Sequence, residues 1–220
     1  MSMPPKIYTL KDKNYPGLLK EIYDPPEKLY VEGNLSPEEK YPLAVVGTRR
    51  PSEYGKRVAT ELVKNLARLG LTIISGLALG IDGLAHEAAL KVGGRTIAVL
   101  GSGIDIIYPA SHKKLAEDII KSGGVIVSEY PPGTSPSKLT FPARNRIIAG
   151  LSLGTLVIEA PERSGAMITA RFALEQGRDV FAVPGSISNL NSAGCNKLIK
   201  MGAKPVTRSE DVLESLGIDI

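Results

Sequence analysis

Six short runs of apolar, mostly β-branched residues recur from Leu43 onward: LAVVG, LTIISG, RTIAVLG, GVIVSEY, GTLVIEA and DVFAVPG. Each run is continuously apolar, as a strand covered on both faces must be. The stretches between them have a different period. PSEYGKRVATELVKNLARLG places Val58, Leu62, Leu66 and Leu69 on one helical face. SGAMITARFALEQG opens on an N-cap serine and closes on glycine, the punctuation of a helix. Strand and helix alternate, and the connections are short enough that only right-handed crossovers suit them. The expected fold is α/β: a three-layer, doubly wound, mostly parallel sheet. KPVTRSEDVLESLG would add one more strand and a helix.

Before that pattern the composition differs. Five of the eight tyrosines and seven of the sixteen prolines lie at or before residue 42, with no sustained helical or alternating period. Residues 1–42 therefore read as an arm or cap laying aromatic rings on a main domain at 43–220. With 43% apolar residues, 220 residues suffice for one large domain with an appendage, and disorder is excluded. A net charge of +4 is a mild bias toward polyanions and excludes a strongly basic protein that coats nucleic acid. Cys195 alone rules out a disulfide framework, and with only His86 and His112 beside it no zinc cluster is expected. No cofactor is expected either. The first residues lack a long apolar core and no stretch is long and apolar enough to span a bilayer, so the expectation is a soluble cytoplasmic protein with no membrane partner.

In an open parallel sheet ligands sit beyond the carboxyl ends of the strands, where glycines allow close approach and helix starts offer unpaired N–H groups. The strand exits here carry Gly47, Thr48, Arg49 and Arg50, then Ser75 and Gly76, then Gly101 and Gly103, and later Ser164 and Gly165. Any one exit could be a tight turn or a cap. As a rim of amides and hydroxyls with two arginines, the set suits phosphate groups. The familiar nucleotide motifs fail. Gly101-Ser102-Gly103 lacks the third glycine of the dinucleotide fingerprint, and Gly55-Lys56 is followed by Arg57, so hydride transfer and ATP hydrolysis are disfavoured. No Gly-x-Ser-x-Gly elbow is present. Asp82, His86 and Glu87 have the spacing of an acid–base pair on one helical face, although such trios more often cap a helix start and pair on the surface.

The stretch 136–150, PSKLTFPARNRIIAG, sets one aromatic ring among Lys138, Arg144, Asn145 and Arg146. A single-stranded nucleic acid asks for such a set: cations for phosphates and a flat face for a base. The alternative is that Phe141 anchors the loop to the core while Arg144 and Arg146 pair with Glu129 or Glu159. Composition leaves both open.

GTRRPSEYG, SGLALGIDGLAHEAAL, GSGIDIIYP, SEYPPGTSP, FPARNRIIAGLS, SGAMITARFALEQGRDVFAVPGSI and GCNKLIKMGA, in this order, resemble the DNA-processing protein A family, also called DprA or Smf. The likeness runs from about Leu43 to Ala203, with YPGLLKEIYDPPEKLYVEGNL resembling the usual lead-in. It implies an extended Rossmann-like fold that binds single-stranded DNA, forms a homodimer and helps load the RecA recombinase in natural transformation, without catalysis. By motif position it implies that Arg49 and Arg50 contact the DNA backbone. Lys138, Phe141, Arg144 and Asn145 would form a basic, stacking pocket, Ser164 and Gly165 would offer amides and a hydroxyl, and Gly101 and Gly103 would permit close approach. Gly47, Thr48, Ser75, Gly76 and Arg146 complete the expected DNA-binding set. Many members continue into a winged-helix-like domain that is not part of the sequence to Ile220, so no role of that domain is expected.

Two other readings compete. The phosphoribohydrolases that cut nucleoside monophosphates resemble this chain around SGAMITARFALEQG, but Thr169 is followed by Ala170, Arg171 and Phe172 where they carry a glutamate, so the carboxylate for glycosidic cleavage is missing. An arginine there would favour a phosphate. The remaining possibility is a small-nucleotide sensor with one mononucleotide in the same pocket.

Overall fold

In the computed structural model, which describes residues 5–219, each of the six apolar runs becomes a strand. The chain runs β1 (Lys6–Thr9), α1 (Gly17–Lys20), β2 (Lys28–Gly33), β3 (Pro42–Val46), α2 (Glu53–Arg68), β4 (Thr72–Ser75), α3 (Ile81–Leu90) and β5 (Thr96–Leu100). It continues α4 (Lys113–Lys121), β6 (Val125–Ser128), α5 (Thr140–Gly150), β7 (Gly154–Val157), α6 (Gly165–Glu175), β8 (Asp179–Ala182), α7 (Ala193–Lys200), β9 (Lys204–Pro205) and α8 (Ser209–Leu216). The nine strands form one sheet in the order β1-β2-β6-β5-β4-β3-β7-β8-β9, parallel except where β1 meets β2 and β2 meets β6. The last piece supplies the short β9 and α8, the latter closed by Gly217 in the left-handed region at φ 64°.

Why the central strands are apolar throughout is visible in β3, where all five residues are buried. Its side chains alternate between faces. Leu43 and Val45 pack with α2, α3 and α8, whereas Ala44 and Val46 pack with α1, α5, α6 and α7. On α2 the face predicted from Leu62 and Leu66 is buried together with Ala59 and Val63, while Val58 and Leu69 are only partly covered. Each large apolar side chain buried this way contributes about 2 kcal/mol. The start of α2 is set by Ser52, whose hydroxyl accepts the Gly55 N–H.

The segment before residue 42, patternless in sequence, continues the same sheet: β1 pairs with β2, and β2 pairs with β6, with Tyr30 opposite Ser128. Its rings are used unevenly. Tyr15 is buried and its hydroxyl donates to the Pro26 carbonyl at 2.8 Å, whereas Tyr23 is fully exposed. Residues 1–4 and Ile220, which the expected segments include, lie outside the described residues. No helix among the described residues is long and apolar enough to cross a membrane.

The strand order fixes where a ligand fits. From β3 the chain steps outward through β4, β5 and β6, then returns across α5 to place β7 on the other side of β3. The helices following β3 and β7 therefore lie on opposite faces, and a crevice opens between the two carboxyl ends.

Candidate functional site

That crevice has a volume of about 600 Å³. One wall is the exit of β3. A Cβ on Gly47 would stand 2.5 Å from Ile81 and 2.9 Å from the Glu159 carbonyl, so only glycine lets the loops after β3, β4 and β7 close together. Thr48 stitches them: its N–H donates to the Glu159 carbonyl at 2.6 Å and its carbonyl accepts the Ile81 N–H at 3.2 Å. Arg49 projects from this rigid base into solvent.

The facing wall is α5. Phe141, Arg144, Asn145 and Ile148 all line the crevice, at the helical spacing that puts four residues on one stripe. Arg144 is buried, and its Nη1 donates to the carbonyls of Gly76, at 2.7 Å, and of Val99. Its Nε donates to Asn145 Oδ1 at 3.2 Å, and Asn145 Nδ2 donates in turn to the Gly165 carbonyl at 3.2 Å. The Gly76 peptide is held from both sides, because its N–H donates to Asp82 Oδ2 at 3.1 Å. A Cβ on Gly76 would lie 2.6 Å from Arg144 Nη2, which explains the glycine. Burial raises the Asp82 carboxyl, against the pull of the Arg144 charge. Burial also pushes Arg144 down to about 10, which leaves the guanidinium protonated at neutral pH. Arg144 thus lends the crevice fixed positive charge while its hydrogen bonds stay inside the protein.

Phe141 is half-buried. Its ring lies 5.5 Å from that of Tyr108, tilted by 40°, with the Arg49 guanidinium carbon 5.4 Å from the ring centroid. Gly101 makes room for it: a Cβ there would come within 2.8 Å of the ring. Arg49 and Lys138 are exposed, and neither side chain engages a carboxylate among the described residues. Opposite them α6 begins at Ser164 and Gly165. Ser164 stands at the N-cap but its side chain makes no capping bond, and its Oγ is buried without a partner.

Gly47, Thr48, Arg49, Lys138, Phe141, Arg144, Asn145, Ser164 and Gly165 therefore line the crevice together. Gly76 and Gly101 back it, touching Arg144 and Phe141. Four expected residues lie elsewhere. Arg50 is exposed outside the crevice, with its carbonyl accepting from Asn191 Nδ2 at 3.0 Å. Ser75 is buried beneath, donating to the Val45 carbonyl at 2.6 Å. Gly103 holds the neighbouring loop through its N–H to the Thr134 carbonyl at 2.8 Å. Arg146 faces away and pairs with Glu129 at 2.7 Å and Asp24 at 3.1 Å. The pairing alternative thus describes Arg146, whereas Glu159 is occupied by the N–H and hydroxyl of Ser52 and by Asn189.

Two further expectations are revised. Asp82 and His86 are neither a surface pair nor an acid–base pair. His86 is fully buried with Nδ1 2.7 Å from Thr96 Oγ1, whose own proton goes to the Ile73 carbonyl, so Nδ1 is the donor. Burial pushes this imidazole down to about 3, and it stays neutral. Arg171 is exposed, pairs with Glu175 at 3.3 Å and does not line the crevice, so it supplies no phosphate contact there. Sequence reasoning missed Tyr108 and the crevice-facing Thr169; the latter's position four residues after Gly165 on α6 was a usable signal.

A doubly wound sheet with a cationic, aromatic crevice at its reversal point is the class of protein so defined. The family model described as DNA recombination-mediator protein A matches residues 6–217, and the chain belongs to that family. It is 52% identical over 202 residues to protein Smf of Escherichia coli, which covers 92% of this chain and 54% of that protein. The chain thus spans about half the length of that relative. Among solved structures it is similar to DNA processing protein A of Streptococcus pneumoniae, with a TM-score of 0.90 and 47% identity over 98% of this chain and 75% of that one. It also resembles DNA processing protein A of Helicobacter pylori, studied for its single-stranded DNA binding mode, with a TM-score of 0.83 and 32% identity over 97% and 98% of the two chains.

Proposed function

We propose that the crevice binds single-stranded DNA and that the protein is a recombination mediator, not an enzyme. The observation that carries this reading is the pairing of two exposed cations that engage no carboxylate among the described residues, Arg49 and Lys138, with a half-buried aromatic ring above the fixed charge of Arg144. Exposed cations meet phosphates, and the ring offers a base a face worth about 1 to 3 kcal/mol. To reach Phe141 a base must enter the crevice, which a base paired within a duplex cannot do. Family membership and the strand-binding relative from Helicobacter pylori support the same assignment. The further roles follow from the family resemblance: the protein works in the cytoplasm as a homodimer and hands the incoming strand to RecA during natural transformation.

The test is a fluorescence-anisotropy titration with single-stranded oligonucleotides of increasing length, at two salt concentrations, with duplex DNA and a mononucleotide as competitors. Affinity should rise with length, fall with salt and resist duplex competitor. Saturation by the mononucleotide with no gain from length would overturn the reading in favour of a nucleotide sensor. Light scattering for the dimer and a RecA filament-assembly assay test the remaining roles.

A further inference from the structure

The crevice shares a wall with a second hollow of about 40 Å³. That hollow lies against Leu79 and Pro109, and Arg49, Ala78, Tyr108 and Phe141 line both spaces. The shared residues form a ridge with open space on either side. On this ridge Tyr108 is 47% exposed, although its ring is only 5.5 Å from that of Phe141. An aromatic side chain left this open gives up much of the burial that would stabilise the fold, so packing alone does not account for its place. Arg49 stands at the same ridge, its guanidinium 5.4 Å from the Phe141 ring.

We infer, resting on the single-stranded DNA reading of the crevice, that Tyr108 is a second stacking platform. One base lies against Phe141 inside the crevice, its neighbour lies on Tyr108 across the ridge, and the phosphate between them meets Arg49. The two rings are inclined by 40°, so bases that follow them cannot remain stacked on one another. The strand kinks at Arg49. The site therefore discriminates by ease of unstacking and favours thymine tracts over adenine tracts, a preference that needs no hydrogen bond to a base edge.

Tyr108→Ala, Tyr108→Leu and Tyr108→Phe, compared with the unaltered chain on oligo-dT and oligo-dA by anisotropy, test this. The alanine and leucine variants should bind oligo-dT about tenfold more weakly, the loss of one base stack, while the phenylalanine variant stays within about twofold. The dT-over-dA preference should shrink in the first two variants only. The salt slope should stay the same in all three, because no phosphate contact is removed. The leucine variant keeps apolar bulk, so a weakened affinity at an unchanged melting temperature isolates the aromatic face. Unaltered affinity in Tyr108→Ala, or a leucine variant as tight as the phenylalanine one, would overturn the inference. Absence of strand binding by the unaltered chain would instead overturn the proposed function itself.

Discussion

At the amino ends of the parallel strands Arg95 is fully engaged: Nε and Nη2 donate to Glu39, Nη2 also to the Asn34 carbonyl, and Nη1 to the Gly123 carbonyl. At the carboxyl ends Arg49 and Lys138 engage no carboxylate among the described residues, while Arg144, below them, is held through Nε to Asn145 and through Nη1 to the Gly76 and Val99 carbonyls. The two ends differ in what their cations are for. An arginine whose donors are satisfied internally holds loops together, and removing it leaves buried carbonyls or carboxylates unpaired. An exposed cation with no partner adds little to stability and retains its donors for a ligand.

That division can be broken or sharpened by substitution. The largest effect is expected from Arg144→Ala, which takes the donor from the Gly76 and Val99 carbonyls and the nearby positive charge from the buried Asp82; urea unfolding should show a loss of about 3 kcal/mol. A variant that keeps its stability and loses only affinity would move Arg144 among the free cations. Arg95→Ala should cost about 2 kcal/mol, since the Glu39 carboxylate it leaves is nearly buried, with strand affinity unchanged. Arg49→Ala or Lys138→Ala should reverse the pattern: an unshifted melting temperature, affinity about tenfold weaker for every sequence, and a salt slope lower by about one. Lowered melting in either would erase the contrast. The smallest change is expected for Arg50→Ala, outside the crevice, at about twofold or less in affinity, read as weak long-range attraction that disappears at high salt.

The doubly wound sheet was legible because each central strand is covered on both faces and must be apolar at every position, a signal independent of context. The edge strands β1 and β2 were not. In Lys6–Thr9 no residue is buried, and in Lys28–Gly33 only Leu29 and Val31 are, too little for a readable period. The rule of strand exits located the crevice, and five separate stretches of sequence do meet there. It could not sort the cations on α5. Arg144 and Arg146 are two residues apart, about 200° around a helix, so one turns into the crevice and the other to Glu129 and Asp24, and composition treats them alike. Tyr108 escaped notice because it comes from a loop, where no period says which way a ring faces.

The crevice draws on residues from Val46 to Thr169, brought together only where the chain reverses direction across β3. No single helix or strand holds even half of it. A ligand seated there is therefore linked to the cooperative unfolding of the whole sheet, and occupancy adds stability by mass action, about 2.7 kcal/mol at one hundred times the dissociation constant. With its crevice occupied the chain is on this account also sheltered from unfolding, and the empty chain is the form that heat and proteases reach first.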